Sequence, residues 1–244
     1  MITYSDLVKK TMPPEKRKTA NKCIVGHYLV RPISNIISIP LIEMNVDPTL
    51  ITIISGVFPI IAFIAFAFFD GVKAFLTGWF CILIWNVLDG VDGNIARYND
   101  KCSQYGELWD ATVGWIATIT FYAGMGFTAY RNPGIVVGDY SIPNSFYLIM
   151  GWGAAMAWIL PRLVMQKKIV LLGKESVRLV KDRENYGILK LVFFNFTSIN
   201  GLAAMVYLGA FFTNLNGLCM IGYFFVSMAV MIGSLWSLLK SKRE

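Results

Sequence analysis

Histidine and cysteine are scarce in this sequence of 244 residues. His27 is the only histidine, and the four cysteines are Cys23, Cys81, Cys102 and Cys219. The cysteines are scattered along the chain, and no two of them form a Cys-x-x-Cys pair. This distribution predicts neither a zinc site nor a disulfide framework.

Charge is also scarce: 15% of residues are charged, 56% are hydrophobic, and the mean hydropathy is +0.56. An ordinary soluble domain carries more charge, so the composition predicts a protein that crosses the membrane several times. The net charge of +7 then describes orientation in the lipid bilayer and contact with anionic headgroups. No basic patch carries interleaved aromatics outside the apolar runs, so no nucleic-acid partner is expected. Residues 1–22 have no apolar core, so no cleavable signal peptide is expected.

The apolar runs predict an all-α fold, an integral membrane bundle of six transmembrane helices preceded by an N-terminal interfacial helix. Each run is close to the ~20 residues that a bilayer core requires. The predicted spans are 50–69, 74–97, 106–130, 144–166, 189–213 and 216–239. Residues 1–46 are interpreted as a cytosolic arm and an interfacial helix that turns at Pro32, and 47–240 as the six-span bundle. The whole chain, 1–244, is interpreted as one domain.

Lysine and arginine are concentrated in every second connection between these runs. They are frequent in the N-terminal arm, near 98–105, in the stretch 162–190 and in the C-terminal tail. Because cytosolic loops are enriched in these residues, both termini are predicted to be cytosolic. Within the third of these stretches, residues 170–186 are compatible with an amphipathic cytosolic helix.

Three aspartates and an arginine lie where the second predicted span ends and the third begins. Charged residues at membrane depth cost about 2.5–3.5 kcal/mol each, so they indicate function. Asp89 and Asp92 share a helix face, and Asp110 can meet them from the next helix. Three clustered carboxylates need a cation between them, and oxygen ligands suit Mg²⁺, Mn²⁺ or Ca²⁺. Arg97 can bind a phosphate with two parallel hydrogen bonds.

Small residues surround these charged groups, namely Gly93, Ala96 and Gly106. They leave room for a bulky ligand beside the metal. The pattern therefore predicts a metal–diphosphate site that opens at the cytosolic membrane surface. Just before the first span, Asp47 is the predicted N-cap of a helix that starts at Pro48.

This stretch resembles the signature of the CDP-alcohol phosphotransferase family, Asp-x2-Asp-Gly-x2-Ala-Arg-x8-Gly-x3-Asp-x3-Asp. The matching positions are Asp89, Asp92, Gly93, Ala96, Arg97, Gly106 and Asp110. The resemblance implies a transferase that releases CMP from a CDP-linked substrate, and it implies six spans. It also implies a bacterial or archaeal cell membrane as the location, and a possible homodimer. The donor, CDP-diacylglycerol or a soluble CDP-alcohol, stays open.

The resemblance also implies roles for particular residues. Asp89, Asp92 and Asp110 would hold Mg²⁺ or Mn²⁺, with Asp110 counted as the catalytic scaffold. The residues implied around the CDP moiety are Thr49, Thr52, Gly93, Ala96, Arg97, Ser103 and Gly106. Of these, Thr49 and Thr52 lie at the start of the first span, where the family has a Pro-Asn-x-x-Thr-like motif and Thr49 replaces the asparagine.

The last aspartate of the signature is Gly114 in this sequence. The family is thought to use that residue as proton acceptor and second-metal ligand. Three hypotheses remain: the acceptor is already ionised, Asp100 or Glu107 takes the proton, or the protein is inactive. An inactive member could act as a membrane scaffold or a CDP-binding protein.

Overall fold

A computed structural model describes residues 2–12, 22–135, 142–177 and 188–240. Within these ranges every regular element is a helix, which confirms the predicted all-α class. Three predicted features lie partly outside them. These are the middle of the N-terminal arm (13–21), much of the predicted amphipathic segment (178–187) and the end of the C-terminal tail (241–244).

Nine α-helices follow one another along the described residues. They are α1 Tyr4–Thr11, α2 Arg31–Glu43, α3 Pro48–Phe68, α4 Gly71–Tyr98, α5 Gln104–Arg131, α6 Ser145–Leu172, α7 Ile188–Thr197, α8 Ala204–Phe212 and α9 Asn216–Lys240. A π-helical turn, Gly26–Val30, precedes α2, a second one, Ile199–Ala203, joins α7 to α8, and a short 3-10 helix, Lys174–Val177, follows α6.

Four of these helices, α3, α4, α6 and α9, are long and apolar enough to cross a membrane. A fifth candidate is the pair Leu191–Thr197 and Ile199–Phe212, which is bent by 56°. Helix α5 has 28 residues, but glycines, threonines and two acidic residues interrupt its apolar run. The described part of the chain therefore has four or five candidate membrane spans, as expected of a multi-pass membrane protein, and the number six stays a prediction.

Contacts divide the chain into two compact units. The first comprises Met1–Ala117 with Phe194–Met205, and the second comprises Thr118–Phe193 with Val206–Glu244. Helix α5 contributes its N-terminal half to the first unit and its C-terminal half to the second. The single-domain interpretation stays a prediction.

The first unit contains a cluster of buried apolar residues. The cluster consists of Leu7, Ile42, Ile51, Val91 and Ile95. Leu7 is fully buried there, although the N-terminal arm was expected to lie near the headgroups. Its short helix, α1, is held further by an ion pair of 3.3 Å between Lys10 Nζ and Asp100 Oδ2. The arm therefore includes a helix that packs on the end of α4.

The chain stays helical through Pro32, where a turn was expected. Pro32 occupies the first turn of α2, a position that needs no backbone N–H donor. The preceding π-helical turn widens the helix just before the proline. Residues 26–43 therefore form one helical segment.

The predicted fifth span is interrupted at Ser198, which has extended backbone angles. The side chain of Asn195, one turn earlier, receives a hydrogen bond from Ile24 N at 2.9 Å and donates one to Lys22 O at 2.7 Å. On the other side of the break, the indole N–H of Trp79 donates to Ala204 O at 2.8 Å. Polar contacts within the first unit thus hold both sides of the interruption.

The second unit is held together by contacts between aromatic rings and by a close approach of two helices at glycines. The rings of Tyr122 and Trp158 are stacked with centroids 6.2 Å apart. Helices α5 and α6 approach closely where Gly126 faces Gly151: a Cβ on Gly151 would lie 2.8 Å from Gly126 Cα. A glycine at each of the two positions lets the helix backbones approach this closely.

Candidate active site

Asp92 is buried on α4 and is held by a threonine of α3. The Thr52 hydroxyl lies 2.5 Å from Asp92 Oδ2, and the aspartate is 5% exposed. The start of α3 is itself capped, because Asp47 Oδ1 accepts a hydrogen bond of 2.9 Å from Thr49 N. This confirms Asp47 as the N-cap. The cap and the threonine together fix Asp92 relative to the start of α3.

The three predicted acidic residues converge. The side chains of Asp89 on α4 and Asp110 on α5 are in hydrogen-bond contact, and Asp92 interacts electrostatically with both. Two carboxyl groups in contact cannot both carry a full charge unless a proton or a cation lies between them. Asp110 is exposed and Asp89 half-buried, so this pair is accessible from outside the helices.

The chemistry of these donors fits a hard divalent cation, because carboxylates and the Thr52 hydroxyl provide only oxygen atoms. Across the described ranges, however, no three His, Cys, Asp or Glu side chains form a ready-made metal cage. The metal site therefore stays a prediction that the donor set supports.

Arg97 lies across Gly93. A Cβ at residue 93 would come within 2.8 Å of Arg97 Nη1, so a larger residue would displace the guanidinium from this position. Arg97 Nη2 donates a hydrogen bond of 3.2 Å to Asn94 Oδ1. Its Nε atom is buried and has no hydrogen-bond partner among the residues that the structure describes. The charge of Arg97 interacts with those of Asp92 and Asp110, which places it at the acidic cluster.

Ser103 and Gly106 meet at the start of α5. Gly106 N donates a hydrogen bond of 3.0 Å to Ser103 Oγ, so the serine caps the helix. This contact accounts for the serine structurally, and a role in nucleotide binding stays a prediction. Thr49 and Ala96 are half-buried, and their roles in nucleotide binding stay predictions.

The Cβ position of Gly114 faces open space. A Cβ added there would meet no heavy atom of the described residues within 4 Å, beyond the glycine's own neighbours and helix backbone. Packing therefore does not exclude an aspartate at this position. Of the two alternative bases, Asp100 is an exposed residue paired with Lys10, and Glu107 is also exposed.

Asn94 is a residue that the sequence interpretation missed. It lies between Gly93 and Ala96 of the signature, and its side chain is 6% exposed. Besides accepting from Arg97, it contacts Asn35 and Ser38 of α2. The only signal in the sequence is its spacing, three residues before Arg97 on one helix face.

Comparison with known proteins gives one family match. Comparison with curated proteins returns no significant match. The sequence model of CDP-alcohol phosphatidyltransferases matches residues 45–236, which is most of the chain and includes all three aspartates. The signature residues that converge in the first unit lie within this match. The chain therefore belongs to the CDP-alcohol phosphatidyltransferase family.

Proposed function

We propose that this protein transfers a substituted phosphate group from a CDP-alcohol to an acceptor, releases CMP, and requires a divalent metal ion. The family consists of transferases that act on CDP-alcohols. The observation that carries the proposal is the contact between Asp89 and Asp110 beside Asp92 and Arg97. Such a set of charges suits a diphosphate with its counter-ion.

Asp89, Asp92 and Asp110 would hold Mg²⁺ or Mn²⁺. When bound, the metal would neutralise charge on the diphosphate and on the departing CMP. Thr52 orients Asp92, and this threonine also belongs to the helix start that is proposed to bind the nucleotide. The Thr52 hydroxyl would therefore link the proposed metal site to the proposed nucleotide site.

The donor would be bound by side chains and small residues around this cluster. Arg97 would bind a phosphate of the donor, and Gly93 gives its guanidinium room to do so. The other residues proposed to surround the CDP moiety are Thr49, Thr52, Ala96, Ser103 and Gly106. Their small size supports close approach of a planar base and a ribose.

The acceptor is proposed to be already ionised, for example a phosphate, a phosphonate or a carboxylate. Its oxygen attacks the β-phosphorus, the bond from that phosphorus to the CMP oxygen breaks, and CMP leaves with the electron pair. An ionised acceptor needs no general base, which is consistent with Gly114 at the usual base position. The space around Gly114 supports entry of such a group.

A second candidate function follows from the same glycine. Without the aspartate, the protein could bind a CDP-linked ligand without transferring it, and act as a membrane scaffold or CDP-binding protein. This candidate predicts nucleotide binding with no CMP release.

The membrane arrangement is proposed to include six spans, with α5 and the bent pair α7–α8 added to the four strongly apolar helices. The helical segment 26–43 would lie at the interface, and both termini and the site would be cytosolic. The positions of lysine and arginine in alternate connections support this orientation. A homodimer is also proposed, by resemblance to the family.

CMP release from the purified protein in lipid vesicles tests the transferase proposal. The assay supplies CDP-diacylglycerol or a soluble CDP-alcohol with ionised and neutral acceptors, with and without Mg²⁺ or Mn²⁺. Metal-dependent CMP release with an ionised acceptor is expected. Asp92→Asn should reduce it more than about a hundredfold, since metal stabilisation of charge is worth several kcal/mol.

Asp70→Asn is the control, because Asp70 is an exposed aspartate at the start of α4, at the opposite end of that helix from Asp92, and the variant should keep wild-type rates. Nucleotide binding without CMP release, across all donors and acceptors, would contradict the transferase proposal and favour the binding protein.

A further inference from the structure

A buried chain of amide and hydroxyl groups connects α2 with Arg97. Asn94 Nδ2 donates to Asn35 Oδ1 at 2.9 Å and to Ser38 Oγ at 3.1 Å. Asn94 Oδ1 accepts from Arg97 Nη2 at 3.2 Å. Asn35 is 8% exposed, and Ser38 is fully buried.

These contacts fix the orientation of the Asn94 amide. Its NH₂ group has two hydrogens, and each has a partner on α2. If the amide were rotated by 180°, the NH₂ group would face the guanidinium, and two donors would oppose each other. The oxygen of Asn94 is therefore held toward Arg97 by contacts that Arg97 does not itself make.

Helix α2 is in turn fixed against α4. Ser34 Oγ lies 2.7 Å from Val87 O, and Gly90 permits this because a Cβ there would lie 2.5 Å from Ser34 Oγ. Asn35 Nδ2 also donates to Tyr4 OH of α1 at 3.3 Å. The two N-terminal helices thus provide a rigid support for the Asn94 amide.

We infer that Asn94 is a positioning residue that holds the Arg97 guanidinium over Gly93, and that α2 acts through it on donor binding. Helix α2 precedes the region matched by the family model, 45–236. The identity of the ligand that Arg97 contacts rests on the proposed function. The positioning of Arg97 by Asn94 does not.

A purely structural role for Asn94 makes a different prediction. Loss of its hydrogen bonds would then lower stability without changing Arg97 in the molecules that remain folded. A positioning role requires that the guanidinium itself becomes less constrained. A measurement on Arg97 therefore separates the two.

The reaction of Arg97 with phenylglyoxal, followed by mass spectrometry of its peptide, provides this measurement without any substrate. Asn94→Leu keeps the size of the side chain and removes its hydrogen bonds. We expect Arg97 to react about tenfold faster in this variant, because a hydrogen bond to a charged group is lost. Asn94→Asp loses both donors to α2 but places a charged acceptor oxygen against the guanidinium, so Arg97 should react no faster than in the wild type.

Two further variants complete the design. Asn35→Ala leaves Asn94 in place and removes one of its two anchors, so a smaller increase in the same direction is expected even if Asn94→Leu does not fold. Asn216→Leu is the matched control: Asn216 is 2% exposed and its amide donates to Asn132 O at 3.0 Å. It should leave the Arg97 rate unchanged.

Kinetics connects the inference to catalysis. Asn94→Leu should raise the KM for the CDP-linked donor about tenfold with kcat nearly unchanged. An unchanged Arg97 reaction rate in folded Asn94→Leu and Asn35→Ala would overturn the inference. A wild-type protein that releases no CMP would contradict the proposed function instead, and the phenylglyoxal rates would still decide the role of Asn94.

Discussion

The two units of this protein are stabilised by different kinds of contact. In the first, directional hydrogen bonds between side chains connect the helices, as between Thr52 and Asp92 or between Asn35 and Asn94. In the second, stacked rings such as Tyr122 and Trp158, and the close approach of Gly126 and Gly151, fill the interior. Polar networks specify the orientation of each group, whereas ring and glycine packing specifies shape.

The difference matches the chemistry of the residues that each unit carries. The first unit contains the acidic cluster and Arg97, whose charged groups must be held at defined positions to act together. Buried hydroxyls and amides do this because each has only a few permitted orientations. The second unit has fewer buried polar side chains among the described residues, and fewer hydrogen bonds between side chains connect its helices.

Gly114→Asp should give the largest effect of the proposed variants, a change in the rate of transfer. It sharpens the comparison of the two units, because it adds a further polar group to the first. Since open space surrounds the glycine, the variant should fold normally. Transfer to neutral alcohol acceptors should rise about 10²–10⁴-fold, the usual effect of a general base. CMP release with each acceptor class measures it.

Gly114→Asn serves as the control for that prediction, because it adds similar bulk without a base. If the rate of transfer to alcohols rises equally in both variants, proton transfer to the aspartate does not explain the increase. If wild type transfers to no acceptor and Gly114→Asp transfers to alcohols, the ionised-acceptor hypothesis fails.

Gly151→Val would break the packing of the second unit. A Cβ at this position would lie 2.8 Å from Gly126 Cα and 2.9 Å from Tyr122 O, so α5 and α6 must separate. We expect a loss of about 1–3 kcal/mol in the free energy of unfolding, as for other overpacked sites. Denaturation in detergent measures it. The donor KM of the folded protein should not change.

Gly209→Val is the matched control for Gly151→Val, because a Cβ on Gly209 of α8 would meet no heavy atom of the described residues within 4 Å. Its unfolding free energy should stay within about 0.5 kcal/mol of wild type. An equal loss in both variants would show that valine itself, and not the close approach of two helices, causes the effect.

Trp158→Phe should give the smallest of the expected changes, a small loss in the free energy of unfolding. The indole N–H donates to Ser227 Oγ at 3.0 Å, and phenylalanine removes this bond while keeping a ring next to Tyr122. A loss of about 1 kcal/mol in the free energy of unfolding is expected. A double-mutant cycle with Ser227→Ala checks it, since the two losses should not add if the hydrogen bond is the cause.

The sequence predicted those features that depend on local spacing. The face shared by Asp89 and Asp92 follows from helix periodicity, and the cap at Asp47 follows from a proline one residue later. The family match covers the stretch that contains these residues. The positions of the long helices also follow from apolar runs, because a bilayer imposes their length.

Features that depend on distant parts of the chain were not predictable in this way. Asn35 and Asn94 are 59 residues apart, and nothing near either residue indicates the other. Helix α1 has eight residues, too few for periodicity to distinguish it from a loop. The interruption at Ser198 lies within an apolar run, so composition alone predicted one continuous span.

Docking of α1 on the end of α4 has a practical consequence for handling the protein. Leu7 is packed against Val91, the immediate neighbour of Asp92, and the Ile2 amide donates to Glu43 Oε1 at 3.0 Å. A purification tag or reporter fused immediately before α1 would disturb the packing of the residues that support the acidic cluster. Deleting the first twelve residues would uncover Val91 and Ile95 to water or headgroups.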